Sequence, residues 1–402
     1  MGEKILIICS VLDVTLNELL GGTDGIGSRS DPSEGILKTL KIADRNRELV
    51  VITWKEESMI GISVIMPVYN TTTEYLKESV DSILSQTYRN IEFIIIDDGS
   101  TDDTQSYLQS IEDERIKLVR NSKKLGITKS LNIGLRMAKG KYTARMDSDD
   151  ISLPLRLERQ YAYMEKHPDV IACGTKVEYF GEQRGIHGSI IDNIERYRVK
   201  MLFVNPGPFH PTVMYRNDLL KRFNILYDER LEYAQDYGMW KTIINYGKIS
   251  VINETLLRYR IHKKQVTSEH RETQIRCDQA VQRELLLELL GSITDDEMNM
   301  HYYHSTGYYR EASIGPDILR WYKRLISANR EKRLYDQKEL ERYIEIIEKR
   351  LIGNLFRKDM PNAKKAWLIF RYLPFKSAFR ITINTVSMKI KARCNYVGRR
   401  NE

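Results

Sequence analysis

The hydrophobic and polar positions of the chain fall into regular periods from Ile62 onward. The run ISVIMPVY is rich in β-branched residues and ends at Pro67 and Asn70, which indicates a strand. In the segment that follows, apolar residues recur at a spacing of about 3.6 positions, which predicts a helix. Thr73 stands where it could cap the start of that helix.

The same order of strand and helix repeats along the next part of the chain. Strands are predicted in IEFIIIDDGS, RIKLVRN, KYTARMD and VIACGTKVEYF. Helices are predicted in TDDTQSYLQSI, GITKSLNIGLRMAKG and PLRLERQYAYMEKHP, the last with Pro154 at a tolerated first position. Alternating strands and helices with short connections predict an α/β, Rossmann-like fold whose sheet is mostly parallel and covered by helices on both faces.

The pattern changes after Gln265, where long amphipathic helices take over. Helices are predicted over 271–290 and 335–352, joined by a segment rich in Tyr and His, in which His301 and His304 are interpreted as surface or packing residues. Before this change we expect a helix over 190–203, strands over 212–215 and 249–260, and a helix near 235–246. The predicted parts are an N-terminal extension (1–58), a catalytic domain (59–268) and a mainly helical C-terminal region (269–402).

Composition narrows the class of protein. The 402 residues are 42% hydrophobic and 29% charged, as in globular proteins, and no apolar run approaches the roughly 18–20 residues that span a bilayer. The four cysteines are far apart and form no C-x-x-C pair, which argues against a disulfide framework or zinc site and fits a reducing cytoplasm. The net charge of +8 suggests an anionic partner, either a nucleic acid, a membrane surface or a phosphorylated ligand.

Polar clusters follow the predicted strands at the sheet edge where doubly wound folds bind ligands. They are PVYN (67–70), DDGS (97–100), DSDD (147–150) and EYAQDYGMW (232–240). The cluster with Asp147, Asp149 and Asp150 places three carboxylates in four positions. Such like charges raise one another's pKa and destabilise the fold unless a positive group lies among them. Any one cluster could also be only a solvated turn.

Several of these stretches together resemble a known family. ISVIMPVYN, IEFIIIDDGSTDDT, LGITKSLNIGL, YTARMDSDD, FHPTVMYR, AQDYGMW and LLRYRIH occur in the order typical of family 2 glycosyltransferases of the GT-A fold. The resemblance covers residues 60 to about 265. It implies an inverting transfer of a sugar from a nucleotide-diphosphate donor to an acceptor hydroxyl, in the synthesis of a cell-surface polysaccharide. The departing diphosphate gains negative charge, which a divalent cation, Mn²⁺ or Mg²⁺, would stabilise.

The resemblance also implies roles for the acidic cluster. Asp149 would ligate the metal, and Asp147 would lie against the ribose or beside the metal. His262, in RYRIH, matches a family histidine that completes the metal or pyrophosphate site. Asp150 is expected only to cap the following segment.

Donor nucleotide binding is assigned by the same resemblance. Asp98 would accept a hydrogen bond from the base, a pyrimidine, so that a UDP-sugar is favoured, while Asp97 supports the turn. The PVYN stretch would surround the nucleotide with backbone groups and a ring, through Pro67, Tyr69 and Asn70. Tyr69 could equally be ordinary packing.

Two residues of the GITKSLNIGL stretch have separate interpretations. Lys129 could face the nucleotide or its phosphates, or lie on a solvated helix face. Asn132 could pin the neighbouring loop.

An inverting transfer needs a general base on the acceptor side. Asp236 aligns with the family's base, but Gln235 stands where a glutamate is common. The alternative role for Asp236 is to serve the dipole at the start of a helix. His210, in FHPTVMYR, is expected to line the acceptor pocket rather than to ligate metal.

The first 58 residues fall outside the resemblance. ICSVLDVTLNELLGG resembles the tail of a repressor-type helix-turn-helix protein, without the recognition helix. Lys55, Glu56 and Glu57 are encoded only by purines and would look like a ribosome-binding site before Met59. One hypothesis is that Met59 is the native start, and a genuine fusion is its rival.

The C-terminal tail, residues 357–400, is basic and aromatic and nearly free of acidic residues. It is predicted either to lie on an anionic membrane surface, which suits a lipid-linked acceptor, or to pack as a helix with a solvated basic face.

The sequence also bears on two other functions. A nucleotidyltransferase would favour a Gly- and Arg/Lys-rich phosphate loop after the first strand, and PVYNTTTEY has neither feature. A DNA-binding regulator would need a complete helix-turn-helix and basic charge near the N-terminus, and the sequence has neither there. We therefore expect no nucleic-acid partner.

Overall fold

The computed structural model describes residues 37–43, 49–55, 60–262, 271–306 and 316–357. The chain divides into two compact units, each formed by three separate stretches of the sequence. The first unit comprises Met1–Gly188, Pro208–Tyr227 and Ser250–His262. The second comprises Ser189–Gly207, Asp228–Ile249 and Lys263–Glu402.

The first unit is built on a large sheet flanked by helices. Its strands are β3 (Ile62–Val68), β4 (Ile91–Asp97), β5 (Ile116–Arg120), β6 (Tyr142–Arg145), β7 (Ile151–Ser152), β8 (Val170–Gly181), β9 (Gly185–His187), β10 (Met214–Arg216) and β11 (Lys248–Ile261). Its helices are α1 (Thr73–Leu84), α2 (Thr104–Gln109), α3 (Ile127–Met137), α4 (Arg156–Lys166) and α6 (Asn217–Arg222), with a 3₁₀ turn at His210–Thr212.

The sheet has the order β5-β4-β3-β6-β10-β8-β11-β7, and β9 pairs with β8. Strands β5, β4, β3 and β6 are parallel, whereas β10 runs antiparallel to both β6 and β8, and β11 antiparallel to β7. The predicted α/β class is confirmed, with a parallel half and an antiparallel half. The PVYN, DDGS and DSDD clusters all follow strands of the parallel half, so their carboxyl ends meet at one edge.

Helices cover both faces of the parallel half because its central strands are apolar on both sides. Met66 of β3 belongs to the same buried cluster as Leu76 and Val80 of α1. On the opposite face Ile94 and Ile96 of β4 pack with residues of the α3 region. The core is therefore assembled from every position of these strands, as their continuous hydrophobic runs predict.

Three local predictions need correction. Pro67 does not end its strand, which continues to Val68. Pairing of β3 with β6 stops at Ile65, so no hydrogen bond between these two strands is lost because Pro67 lacks an N–H. Thr73 is the first helical residue of α1 and not its cap. Pro154 lies in the turn before α4, which begins at Arg156, and its carbonyl accepts a hydrogen bond from the Thr87 amide at 3.0 Å.

The described elements of the second unit are helical. They are α5 (Ile194–Met201), α7 (Gln235–Ile243), α8 (Arg271–Leu290), α9 (Asp295–Thr306), α10 (Pro316–Lys332) and α11 (Gln337–Arg357). The prediction of a Tyr/His-rich joint between two helices is wrong, because α9 and α10 occupy that part of the chain.

His301 is buried. Its Nε2 lies 2.7 Å from the Leu202 carbonyl oxygen, and its Nδ1 accepts a hydrogen bond from Trp321 Nε1 at 3.0 Å. Burial lowers the pKa of His301 to about 4, so it packs as a neutral ring.

The N-terminal region contains two strands that the sequence pattern did not predict. β1 (Leu37–Ala43) and β2 (Leu49–Lys55) pair antiparallel in a two-stranded sheet of their own. The repressor-like stretch and the basic aromatic tail beyond residue 357 lie outside the described residues. Within the described helices, none is long and apolar enough to cross a membrane.

Candidate functional site

Strand β6 delivers the acidic cluster to the carboxyl edge of the sheet. Asp147, Asp149 and Asp150 follow it directly, and ligand-type oxygens of the three side chains lie within 4.8 Å of one another. The carbonyl of Asp147 accepts a hydrogen bond from the Ser79 hydroxyl of α1 at 2.7 Å. The strand end and the neighbouring helix therefore fix the loop that carries the three carboxylates.

Two buried guanidiniums supply positive charge beneath this cluster. Arg145 binds both carboxylate oxygens of Asp147: its Nη1 donates to Oδ2 at 2.6 Å, and its Nη2 pairs with Oδ1. Arg156 is wholly buried and donates through Nη2 to the Arg145 carbonyl oxygen at 2.6 Å and through Nε to Gln160 at 3.0 Å. Burial lowers the pKa of Arg156 to about 10, so it is still charged at neutral pH. Arg145 and Arg156 therefore supply part of the positive charge that the three aspartates require.

Asp149 and His262 come together as the sequence analysis expected. His262 Nε2 lies 3.0 Å from Asp149 Oδ2, and both side chains are about one-quarter exposed, at 23% and 26%. Arg260 places this pair, because its Nε donates to the Asp149 carbonyl oxygen at 2.7 Å. A carboxylate and an imidazole that share a solvent-facing position can both turn to a cation.

Asp150 is bound differently from what was expected. It does not cap α4; its Oδ1 accepts the backbone N–H of Arg260 at 2.8 Å, and it is 1% exposed. Within the described part of the chain, its Oδ2 is buried and has no hydrogen-bond partner. Burial and the charges of Asp149 and Asp147 raise the pKa of Asp150 well above its usual range. A buried carboxylate oxygen without a partner is costly, and an oxygen-seeking divalent cation fits this donor set.

The second aspartate of the DDGS turn, Asp98, accepts three hydrogen bonds from the segment between β5 and α3. Asp98 Oδ1 accepts from Asn121 Nδ2 at 2.7 Å and from the Leu125 amide at 2.9 Å, and Oδ2 accepts from the Gly126 amide at 2.8 Å. A carboxylate offers about four acceptor positions. Asp98 thus secures the loop before α3 and has capacity for one further donor.

Asp97 and Asn70 stabilise the same edge. Asp97 Oδ1 accepts the Ser100 amide at 2.9 Å. Asn70 adopts a left-handed conformation with φ 45°, and its Oδ1 accepts the Thr101 amide at 2.8 Å. The ring of Tyr69, 38% exposed, has Lys124 Nζ at 4.1 Å from its centroid. PVYN and DDGS therefore form one connected rim.

Lys129 and Asn132 of helix α3 lie in different environments. Lys129 is exposed, and its role in donor binding stays a prediction. Asn132 is buried; its Nδ2 donates to the Tyr227 carbonyl oxygen at 3.0 Å, and its Oδ1 accepts the Tyr227 amide at 2.9 Å. The predicted pinning of a loop by Asn132 is confirmed.

His210 is part of a buried aromatic network. Its Nε2 lies 2.8 Å from the Tyr227 hydroxyl, which lies 3.0 Å from the hydroxyl of Tyr215. Burial and the charge of Arg145 hold the pKa of His210 well below its usual range, so the ring is neutral. The assignment of His210 to the acceptor side stays a prediction.

In the second unit, Asp236 lies in the first turn of α7. Its Oδ1 accepts the Tyr237 amide at 2.8 Å, and its Oδ2 accepts from Asn205 Nδ2 at 2.8 Å. Gln235 precedes it, and its Oε1 is buried without a hydrogen-bond partner among the described residues. Asn205 was missed by sequence reasoning, since an asparagine in a loop 31 residues away gives no signal.

Arg145 was also missed, although the sequence carried a signal for it. Residues two positions apart on an extended chain lie on the same face. An arginine two positions before the first aspartate of the cluster is therefore a natural partner for it. Arg156 gave no such signal, because a charged residue on a helix is usually solvated.

Comparison with known proteins gives matches in both sequence and structure. The family model described as Glycosyl transferase family 2 matches residues 63–223. A glycosyltransferase of Haemophilus influenzae is 36% identical over 247 residues, which cover 58% of this chain and 76% of the relative.

Two further proteins resemble the chain more distantly. The Escherichia coli UDP-Glc:alpha-D-GlcNAc-diphosphoundecaprenol beta-1,3-glucosyltransferase WfaP is 29% identical over 209 residues, covering 52% of this chain and 80% of the relative. The crystal structure of S. aureus TarS 1-349 in complex with UDP-GlcNAc has a TM-score of 0.50 at 20% identity, over 67% of this chain and 81% of that chain. The structural likeness supports the GT-A fold predicted from the sequence.

Proposed function

The chain belongs to glycosyltransferase family 2, and we propose that it moves a sugar from a UDP-sugar to a hydroxyl of a glycan or lipid-linked acceptor. The observation that carries this proposal is the acidic cluster after β6, with Asp149 paired to His262 and a carboxylate oxygen of Asp150 left without a partner. Such a donor set suits a divalent cation that accompanies a diphosphate.

Similar proteins support the proposed donor and acceptor classes. WfaP takes its sugar from UDP-Glc and acts on a diphosphoundecaprenol-linked GlcNAc, as its name states. The TarS structure contains UDP-GlcNAc. We therefore assign a UDP-sugar donor and a lipid-linked or glycan acceptor in cell-surface polysaccharide synthesis.

We propose that Asp149 and His262 hold Mn²⁺ or Mg²⁺. When bound, the cation supplies a Lewis acid that stabilises the charge developing on the departing diphosphate. Asp147 is already neutralised by Arg145 and is proposed to face the ribose side of the donor. Asp98 would accept a hydrogen bond from the base with its remaining acceptor position, and Tyr69, Asn70 and Pro67 would line the nucleotide.

Asp236 is proposed as the general base. Its carboxylate takes the proton of the acceptor hydroxyl as the new bond to the sugar's anomeric carbon forms and the bond to the diphosphate breaks. Asn205 and the Tyr237 amide hold the two carboxylate oxygens and so fix the orientation of the base. Gln235 is proposed to contact the acceptor beside it.

The basic aromatic tail is proposed to bind an anionic membrane surface, where a lipid-linked acceptor would reside. The support is its sequence alone, in which Lys and Arg alternate with aromatic residues. The enzyme would then work as a peripheral protein on the inner face of the cell membrane.

The proposal is tested by thermal shift with a panel of nucleotide sugars in Mn²⁺, in Mg²⁺ and in EDTA. UDP-sugars should raise the melting temperature in the presence of metal, because a ligand that binds only the folded state stabilises it. GDP-sugars and CMP-sugars serve as the matched controls. Stabilisation by another nucleotide class, or by UDP-sugars equally in EDTA, would contradict the donor and metal assignments.

A further inference from the structure

The PVYN and DDGS stretches, which are proposed to hold the nucleoside, are joined to each other by several hydrogen bonds. The Asn70 amide donates to the Ser100 hydroxyl at 3.0 Å, and Asn70 Oδ1 accepts the Thr101 amide at 2.8 Å. The carbonyl oxygen of Thr71 accepts a hydrogen bond from the Thr104 hydroxyl at 3.3 Å. The nucleoside side of the site is therefore one connected piece that includes Thr71.

The acidic loop, residues 147–150, is held by different parts of the first unit. The carbonyl oxygen of Asp147 accepts a hydrogen bond from the Ser79 hydroxyl of α1 at 2.7 Å. The carbonyl oxygen of Asp149 accepts one from Arg260 Nε, also at 2.7 Å. These bonds fix the loop against α1 and β11, and they do not fix its distance from the nucleoside side.

One hydrogen bond between side chains joins the acidic loop to the nucleoside side. The Ser148 hydroxyl lies 2.7 Å from the Thr71 hydroxyl, and both residues are half-buried. Either hydroxyl can act as the donor. Among the residues that the structure describes, no other hydrogen bond connects 67–72 or 97–104 with 147–150. The link between the two sides therefore depends on these two hydroxyl groups.

We propose that Thr71 is a positioning residue that sets, through Ser148, the distance between the nucleoside side and the metal-binding loop. The inference rests on the proposed function, in which UDP engages both sides at once, the base at Asp98 and the diphosphate through a cation at Asp149. A ligand that spans two sites gains affinity from both only when their separation matches its own length.

This role predicts a specific pattern of binding when the Thr71 hydroxyl is removed. Uridine has no diphosphate and Mn²⁺ has no base, so each of them engages one side and does not depend on the separation. UDP engages both sides and does depend on it. A purely structural role predicts another pattern, in which the fold loses stability and all three ligands bind more weakly.

The test is a set of titrations of the full-length protein with uridine, with MnCl₂, and with UDP in MnCl₂. Thr71→Val keeps the branched shape and removes only the hydroxyl. We expect the affinity for UDP to fall by about 5-fold, the size of one hydrogen bond, while the affinities for uridine and for Mn²⁺ stay unchanged.

Two further variants separate this bond from other effects. Ser148→Ala should show the same loss, and the double variant should lose no more than either single variant, because all three remove one shared bond. Thr73→Val, in the first turn of α1, is the matched control, since the Thr73 hydroxyl forms no hydrogen bond within the described ranges. UDP binding by Thr71→Val that equals the parent's, or equal weakening of uridine, Mn²⁺ and UDP, would overturn the inference.

A measurement without ligand distinguishes a failure of this inference from a failure of the proposed function. Amide hydrogen exchange over residues 146–150 should be faster in Thr71→Val than in the parent and in Thr73→Val, because the loop has lost its bond to the nucleoside side. Unchanged exchange would overturn the inference. Faster exchange in a protein whose parent form binds no UDP would reject the proposed function and support the role of Thr71 in placing the loop.

Discussion

The guanidinium of Arg145 holds both carboxylate oxygens of Asp147, two residues further along the chain. The arginine is 5% exposed at its side chain and the aspartate 24%. Arg145 at the end of β6 and the buried Arg156 at the start of α4 place two guanidinium groups beside the three carboxylates of Asp147, Asp149 and Asp150. The site therefore tolerates its own charge and still favours an added cation.

Replacing Arg145 by methionine should destabilise the fold strongly. Removing one partner of a buried ion pair leaves an uncompensated charge, which costs about 3–5 kcal/mol in the free energy of unfolding. Urea unfolding in EDTA measures this loss, and part of it should be recovered in MnCl₂, because a bound cation replaces the missing charge.

The control for this variant is Arg159→Met, which breaks the Arg159–Glu254 pair, exposed by about half on each side. Exposed pairs contribute about 0–1 kcal/mol. Equal losses in the two variants, or no effect of Mn²⁺ on Arg145→Met, would be inconsistent with the charge balance described for the acidic cluster.

Much of this edge of the sheet is predictable from sequence, because each cluster directly follows a buried strand. The position of Asp147 and Asp149 after YTAR predicts that they lie at this edge, as the structure has them, whereas their roles in metal and donor binding stay predictions. The partners that decide their charge state were harder to foresee. Arg260, which contacts both Asp149 and Asp150, is about 110 residues away in the chain, and pairing across such a distance depends on how β11 returns to the sheet.

His262→Ala should weaken UDP binding more in the presence of Mn²⁺ than in the presence of Mg²⁺. Imidazole nitrogen is a good ligand for transition metals, whereas Mg²⁺ prefers oxygen. Calorimetric titration of UDP in each metal measures the difference, and we expect a loss of about 10-fold in affinity with Mn²⁺ and a smaller one with Mg²⁺. Equal losses in the two metals would mean that His262 only orients Asp149.

Asn132→Ala should cost about 1–3 kcal/mol in the free energy of unfolding. The substitution removes the two hydrogen bonds that Asn132 makes with the buried backbone of Tyr227, and losing the partner of a buried polar group carries that penalty. Lys129→Ala on the same helix is the matched control, since an exposed substitution normally changes stability by less than about 0.5 kcal/mol. Urea unfolding of the two variants would refute the pinning role if their losses were alike.

The helical region was the least predictable part of the molecule. Helix α9 has apolar residues mixed with His, Ser and Asn, so its sequence shows no amphipathic period and suggested an irregular joint. It is helical because His301 and Tyr302 find buried partners on Leu202, Trp321 and Asp278. Tertiary contacts of this kind are invisible to local sequence patterns.

Calorimetric titration of UDP into the parent protein and into Asp149→Asn tests the central claim most directly. With Mn²⁺ present the parent should bind UDP, and EDTA or the substitution should each abolish most of that binding, because the diphosphate charge loses the cation that Asp149 holds. Asp218→Asn, at an exposed carboxylate of α6, is the control and should bind like the parent. Binding of UDP by Asp149→Asn that stays tight and sensitive to EDTA would contradict the assignment of the metal to this aspartate, and with it the account of how the donor is held.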